Sequence, residues 1–226
     1  MSASLDVRGR IGLSAAMFLA AGLFAAPVMA HPHVFVSASV HLVGDGKGDL
    51  SAVRTAWVFD EMFSSALIMD FDDNANDVLE PEELATVGQT ILGSAKDYQF
   101  FTFLKDNGRT VALEAPDKFR TVLEEGHLIL LMEMIPQDPL ALAKSDLTLS
   151  IYDPTYYVSF EVSGDDHVQM TDLPGACHAS VASEPVTDGA TTWLNQIAGL
   201  SKSQSIPADG VNYAELLSTK VNIACP

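Results

Sequence analysis

Residues 72–83, DDNANDVLEPEE, form a short polar segment between two amphipathic stretches. Counted from the first residue, oxygen-bearing groups fall at positions one, three, five, seven, nine and twelve: Asp72, Asn74, Asn76, Val78, Glu80 and Glu83. A hard divalent cation takes six to eight oxygen ligands, and a tightly curled chain supplies them at this spacing. Position seven then contributes its backbone carbonyl and position twelve both carboxylate oxygens. The segment therefore predicts a loop that binds calcium as a cofactor.

The flanking residues support an EF-hand unit, in which one helix enters the loop and another leaves it. Asp60 suits the N-cap of a helix over residues 61–71, and Pro81 suits the first turn of a second helix. Position six is Asp77 instead of the usual Gly, so we expect a strained left-handed backbone there and weak calcium affinity, roughly 10⁻⁴ to 10⁻³ M. The alternative is an acidic connector that binds no ion.

The first thirty residues have the features of a secretory signal. Arg8 and Arg10 precede an apolar run over residues 11–26, and small residues at 28–30 suit a signal peptidase. The run is short for a membrane-spanning helix. We expect cleavage after Ala30, a mature chain that starts at His31, and a periplasmic location without a stable membrane anchor.

The net charge limits the classes of binding partner, and the cysteine content indicates a stabilising bond. A net charge of −18 makes nucleic acid and anionic membranes poor partners. The sequence has two cysteines, Cys177 and Cys225. In an oxidising compartment we expect them to form a disulfide, worth about 4 kcal/mol in the chain-entropy model.

The remaining pattern predicts an α+β fold dominated by an antiparallel β-sandwich. Residues 33–43 alternate between apolar and polar side chains and residues 50–59 suit the returning strand of a hairpin. Six later short runs bring the number of strands to about eight, as in a sandwich: 111–113, 119–124, 128–134, 147–152, 156–162 and 168–170.

Three parts follow the predicted signal sequence in this interpretation. A β-rich domain covers residues 31–175, with the helical calcium-loop insert at about 60–104. Residues 176–226 form a linker and a loosely packed helical tail, with helices predicted over 191–200 and 213–221.

A second candidate metal site lies at the predicted mature N-terminus. His31 and His33 lie on the same side of an extended chain, about 7 Å apart, and could share one ion. The hairpin register brings Asp60 or Glu61 opposite them within a residue or two. Nitrogen with carboxylate suits zinc, nickel, cobalt or copper. The alternative is that the histidines are a polar lead-in to the strand and that Asp60 is only a helix cap.

Four short motifs occur together in the chain: HPHVFV at 31–36, WVFDE at 57–61, the calcium-type loop ending in PEEL, and DPTYYVSF at 153–160. In combination they resemble a family of uncharacterised bacterial periplasmic proteins. Members are described as periplasmic components of a transport system and are often encoded beside inner-membrane exporters of the nickel/cobalt type. The resemblance covers residues 31–177. It implies metal handling, although Asn76 and Asp77 replace the Asp and Gly that members commonly carry.

These observations favour a metal-binding accessory protein that is not an enzyme. No Ser/His/Asp spacing, phosphate loop or nucleophile elbow is visible in the sequence. We expect calcium to stabilise the insert and the histidine pair to handle a transition metal for an inner-membrane transporter. The alternative is a calcium-stabilised module that binds a protein partner and carries no exchangeable transition metal.

Overall fold

The computed structural model describes residues 32–200 and 210–226, so the predicted signal sequence and His31 lie outside the described residues. Twelve strands are found in this part of the chain: β1 (Val34–Gly44), β2 (Asp49–Phe59), β3 (Thr102–Asp106), β4 (Arg109–Val111), β5 (Lys118–Glu124), β6 (His127–Met134), β7 (Leu140–Ala141), β8 (Asp146–Ile151), β9 (Val158–Glu161), β10 (Val168–Thr171), β11 (His178–Ala182) and β12 (Lys220–Ala224). The helices are α1 (Glu61–Phe71), α2 (Pro81–Ala95), α3 (Asp188–Ile197) and α4 (Tyr213–Leu217).

The strands form two sheets. The first has seven strands in the order β10-β1-β2-β6-β5, with β7 beside β2 and β9 beside β1. The second has five, in the order β11-β12-β8-β3-β4. Among the described strands, β9 and β10 run parallel to β1 and every other pair is antiparallel. The predicted α+β class with mainly antiparallel strands is therefore confirmed.

The β1–β2 hairpin follows the predicted alternation. The apolar side chains of β1 at alternate positions are buried: Val34, Val36, Ala38, Val40 and Leu42. Val36 lies opposite Phe59, so Phe35 lies opposite Asp60 and His33 falls two residues further along. Asp45 closes the turn, because its Oδ1 accepts the backbone amides of Lys47, Gly48 and Asp49. These hydrogen bonds, the one from Asp49 foremost, hold the pKa of Asp45 below its usual value.

The helical segment is shorter than predicted. Helix α2 ends at Ala95, an irregular 3₁₀ segment follows at Lys96–Phe101, and β3 begins at Thr102. The prediction that the helix continues toward Leu104 is therefore wrong. The physical reason is that Leu104 is 1% exposed in β3, where it pairs with Leu149 of β8 in the second sheet.

The C-terminal part also differs from the predicted helical tail. Helix α3 agrees with the first predicted helix, but α4 stops at Leu217 and the next residues form β12. This strand lies between β11 and β8, and Val221 and Ile223 are buried in the core. Helices α3 and α4 contact each other through Trp193 and Tyr213, whose ring centroids are 5.4 Å apart.

One hydrophobic cluster joins the two sheets and the first helix pair. Its members include buried residues of β1, β2, β6, β8 and β12 together with Leu67 of α1 and Val87 of α2. Gly88 lets α2 approach β5 closely, since a Cβ atom there would lie 2.3 Å from Thr121 Oγ1. The loop between α1 and α2 is thereby fixed at both ends to the body of the protein.

Candidate functional site

Each of the two helices that flank the loop begins at a capping residue. Asp60 begins α1 as predicted, because its Oδ1 accepts the amide of Phe63 at 2.9 Å. Glu80 precedes Pro81 and forms a capping box with Glu83, whose Oε2 accepts the Glu80 amide at 2.8 Å. Leu79 is 5% exposed and anchors the loop to the core.

Asp72 organises the first half of the loop. Its Oδ1 accepts the amide of Asn76 at 3.1 Å and its Oδ2 accepts the amide of Asp77 at 2.7 Å. Ala75 and Asp77 have positive φ, 57° and 62°. The left-handed backbone expected at Asp77 is thus found, and it curls the chain around the Asp72 carboxylate.

The second half of the loop brings three predicted ligand positions together. Glu80 accepts the side-chain amide of Asn74 at 3.0 Å and that of Asn76 at 2.7 Å. A hydrogen bond that Glu80 accepts from the Glu83 carboxyl when the latter is protonated, followed by the bond from Asn76, holds the pKa of Glu80 below its usual value. Glu83 Oε1 also accepts the amide of Asp73 at 2.9 Å. The Val78 side chain is exposed, as suits a position that contributes only its carbonyl.

No three His, Cys, Asp or Glu side chains within residues 32–200 and 210–226 are grouped so that they could hold a metal ion. The predicted calcium shell therefore depends on the two asparagine amides and the Val78 carbonyl as well as on carboxylates. Oxygen ligands of this mixed kind are those that calcium takes in proteins.

At the second candidate metal site, His33 and Asp60 each contact other groups of the protein. The His33 ring lies against the Tyr157 ring, with centroids 4.8 Å apart, and the His33 amide donates to the Tyr157 carbonyl at 2.8 Å. Asp60 Oδ2 accepts the amide of Phe35 at 2.8 Å, in addition to the cap contact of Oδ1. Glu61 is exposed in the first turn of α1. The Asp60 carboxylate thus connects the start of α1 to β1 through hydrogen bonds.

The predicted disulfide is present between Cys177 and Cys225. His178 pairs with Ala224 in the second sheet, so the two cysteines stand opposite each other at the neighbouring position. The bond closes the end of the β11–β12 pair.

Two features were missed by the sequence analysis. Asp153, at 3% exposed, accepts the amides of Thr155, Tyr157 and Val158 and the Thr155 hydroxyl, and so fixes the turn before β9. The DPT sequence is the signal for such a turn. The other is an apolar cavity of about 310 Å³ between the α1/α2 pair and the first sheet, for which the sequence carries no local signal because its walls are far apart in the chain.

In the part of the chain that the structure describes, the helices lack the length and apolar composition needed to span a membrane.

Comparison with known proteins places the chain among relatives that are themselves uncharacterised. An uncharacterised protein of Haemophilus influenzae is 26% identical over 202 residues, which is 88% of this chain and 92% of that protein. An uncharacterised 15.5 kDa protein in the trpE 3′ region of Spirochaeta aurantia is 27% identical over 108 residues, 47% of this chain and 76% of that protein. No solved structure matches. Residues 16–225 match a family profile, and the chain therefore belongs to the family described as "Protein of unknown function (DUF1007)".

Proposed function

We propose that this protein is a non-enzymatic periplasmic accessory protein that binds calcium at residues 72–83 and thereby stiffens the α1/α2 pair. The observation that carries the proposal is the curl of the loop. Both carboxylate oxygens of Asp72 accept backbone amides, from Asn76 and Asp77, and Asp77 is left-handed. Such a curl lets side chains at alternate positions face one centre, as a calcium loop requires.

The contacts among the side chains support the same centre. Asn74 and Asn76 both reach Glu80, within 3.0 Å and 2.7 Å. A half-turn of either amide exchanges its nitrogen for its oxygen, and the group then presents an acceptor to a cation. Calcium would replace these amide donors as the partner of Glu80 and would offset the repulsion among Asp72, Glu80 and Glu83.

We propose further that the two sheets, which include β11 and β12 beyond the predicted domain boundary at residue 175, form a β-sandwich and that α1, the loop and α2 are an EF-hand-like insert at its edge. The hydrophobic cluster of the described residues supports the sandwich, since buried residues of both sheets belong to it. Leu79 supports the insert, since burial of the position-eight side chain ties the loop to that cluster.

Calcium titration of the chelator-stripped mature chain, residues 31–226, tests the loop. We expect isothermal titration calorimetry to give a Kd of roughly 10⁻⁴ to 10⁻³ M. Calcium at about ten times the Kd should raise the free energy of unfolding by about 1.4 kcal/mol through mass action. A melting temperature and a heat signal that both ignore millimolar calcium would contradict the proposal.

Two neighbouring aspartates provide a matched pair of variants. Asp72→Asn removes the charge at position one, and Asp73→Asn removes the same charge at position two, which is exposed and is not a predicted ligand. We expect Asp72→Asn to abolish the calcium response and Asp73→Asn to retain it. Equal responses would mean that calcium acts through the general negative charge of the surface.

We propose further that His31, His33, Asp60 and Glu61 bind a transition metal. The protein would handle this metal for an inner-membrane transporter. The β1–β2 register favours it, because it brings His33 within two residues of the position opposite Asp60. Titration with zinc, nickel, cobalt and copper tests it. His31→Ala with His33→Ala should lose binding, whereas His41→Ala, on the same side of the strand, should not. Unchanged affinity in the double variant would exclude this site.

A calcium-stabilised protein-interaction module is the second candidate function. The outward face of the first sheet favours it, because Phe35 is 52% exposed and Leu131 is 39% exposed there. The expected observation is a protein that co-purifies with the mature chain and is lost on Phe35→Ser, while the wild-type chain binds no transition metal. Tight zinc, nickel or copper binding would favour the handling role instead.

A further inference from the structure

The outward face of the first sheet is open in the described part of the chain. Leu67 of α1 and Val87 of α2 belong to the hydrophobic cluster on the opposite face. On the open face, Phe35 of β1 is 52% exposed and Leu131 of β6 is 39% exposed. Alternate side chains of each strand point out of the sheet, so the register of the strands determines which of them are neighbours.

The register separates the charged strand residues of this face into two halves. At the Arg54 end of β2 lies the half that we call basic, formed by Arg54, Lys118, Arg120 and Glu133. At the Asp60 end lies the half that we call acidic, formed by Asp60, Glu124 and Glu161. With neutral histidines, the basic half has a net positive charge even when the nearby Asp166 is included, and the acidic half has a net negative charge.

Apolar side chains occupy the centre of the face, between the two halves. The pairs across β2, β6 and β5 are Ala56 with Leu131, Val58 with Ile129, and Ile129 with Val122. An apolar centre within a charged rim is the usual composition of a protein–protein interface. The face therefore has the composition of one side of an interface.

The area of the face is sufficient for a weak dimer. Residues 35–41 of β1 span roughly 24 Å, and five neighbouring strand positions span roughly the same distance across the sheet. Two copies packed on this face would bury roughly 1,200 Å² in total, at the lower end of the range for specific complexes. Because both chains are strongly acidic overall, we expect a dissociation constant of roughly 10⁻⁵ to 10⁻⁴ M. Dilute protein, as in unfolding experiments, is then monomeric.

A two-fold axis that lies in the plane of the contact, perpendicular to the strands, makes the face complementary to itself. The strands of the two copies then run antiparallel, and the basic half of each copy covers the acidic half of the other. Lys118 meets Glu124 of the second copy, and Arg54 meets its Asp60. At the centre, Leu131 meets an apolar side chain of β6. Packed sheets are rotated by about 30°, which shifts these contacts sideways but keeps the halves opposed.

We propose that two copies of this chain form a symmetric dimer through the outward face of the first sheet, with the basic half against the acidic half. A second copy is the occupant because a two-fold contact uses each half of the face twice, each time against a half of opposite charge. The calcium loop lies outside this face. The dimer is therefore independent of calcium binding, and it assigns a different partner to the face that the second candidate function uses.

Sedimentation equilibrium of the purified mature chain, with a chelator present, tests the dimer in the absence of metal and of any other protein. We expect the average mass to rise from that of one chain toward that of two between about 1 µM and about 1 mM. A mass that stays at one chain would overturn the proposal, without bearing on calcium binding or on a different partner protein. A mass that grows beyond two chains would also overturn it, because a two-fold contact closes.

A charge swap at two exposed residues of β5 tests the two-fold symmetry. Lys118→Glu places two carboxylates together at the contact with Glu124 of the second copy, and Glu124→Lys places two ammonium groups together there. Like charges in contact weaken association, so we expect each variant alone to dimerise at least about tenfold more weakly than the wild type. An equimolar mixture of the two variants should recover the dimer, because both contacts then join opposite charges. A mixture that stays monomeric would overturn the proposal.

Matched controls separate this face from general effects of charge and exposure. Arg109→Glu reverses an exposed cation of β4 in the second sheet, with the same change in net charge as Lys118→Glu, and should leave the dimer intact. Leu131→Lys should make the chain monomeric, whereas Met69→Lys on α1, at a residue that is 79% exposed, should not. Circular dichroism verifies that the variants fold, and if Leu131→Lys does not, the mixture of charge variants decides. An intact dimer in folded Leu131→Lys, or a lost dimer in either control, would overturn the assignment to this face.

Discussion

At the scale of single residues, the backbone of the loop is the part that the sequence describes best. The spacing from Asp72 to Glu83 predicts both flanking helices and the left-handed Asp77, and the structure has all three. The spacing does not reveal that Asp72 would bind two amides or that Glu83 would close a capping box, because several acceptors compete for the same donors in so polar a segment.

Asp77→Gly tests the strain at position six. Glycine adopts positive φ without the steric penalty that a Cβ brings, so we expect the variant to gain about 1 kcal/mol in stability without calcium. It should also bind calcium more tightly. Asp73→Gly is the control, because Asp73 does not have positive φ, and we expect that change to lower stability. Urea unfolding measures both.

At the scale of elements, the long alternating strands and several short ones were predictable, whereas β3, β7, β11 and β12 were not. β1 and β2 have eleven residues each and a buried apolar face. β11 and β12, HASVA and KVNIA, have five residues each and owe their place to partners far along the chain. The pattern at residues 213–221 predicts a helix, and β12 is missed, because such short runs carry little periodicity of their own.

The packing of α2 on β5 predicts opposite effects for two glycines of one helix. Gly88→Ala would place a Cβ 2.3 Å from Thr121 Oγ1 and 2.7 Å from the Phe119 ring, so we expect a loss of about 1–3 kcal/mol. Gly93→Ala meets no atom within 4 Å and should gain up to about 1 kcal/mol from helix propensity. The urea concentrations at the unfolding midpoints of the two variants measure both changes in stability. Equal effects would show that α2 does not pack on β5 in this way.

A charge cluster across three strands of the first sheet predicts a pH dependence. Hydrogen bonds to Glu133 from Lys118 and then from Arg54, at 2.9 Å and 2.7 Å, hold its pKa below the ordinary value of 4.5. The cluster therefore adds stability above about pH 4.5, and this contribution disappears as the pH falls through the lowered pKa of the folded state. Its size should be below about 1 kcal/mol because Lys118 and Arg54 are well exposed.

Unfolding free energies between pH 3 and pH 7 measure this contribution. Glu133→Gln should lose stability at neutral pH and show a smaller acid-induced decline than the wild type. Glu124→Gln, an exposed carboxylate of β5 in the same sheet, is the control and should leave the wild-type pH profile unchanged. If the stability of Glu133→Gln falls with acid as steeply as that of the wild type, the acid-induced loss of stability comes from other groups.

At the scale of the whole molecule, the pairing of the two cysteines was predictable from the sequence. The arrangement of strands in the second sheet was not. Composition and compartment favoured pairing of Cys177 with Cys225, although neither suggested that the bond would close a pair of strands. Hydrophobic alternation finds a strand within a segment but gives little information on partners that are distant in the sequence. The order of the second sheet was therefore beyond prediction.

Reduction of the disulfide should destabilise the whole protein. The bond spans a sequence separation of 48, for which the chain-entropy model gives about 4 kcal/mol. We expect Cys177→Ser with Cys225→Ser to lower the unfolding midpoint as much as a reductant does in the wild type, and the reductant to leave the double variant unchanged. A wild-type midpoint that is insensitive to reductant would contradict this account.

The position of β12 imposes an order of assembly on the chain. This strand is the latest of the twelve in the sequence, yet it lies between β11 and β8 and hydrogen-bonds to both. Until Ala224 has been synthesised, those two strands expose unsatisfied backbone edges on which another chain could pair. Truncation before Lys220 would leave that gap permanently open, so shortened forms of this protein should aggregate rather than fold.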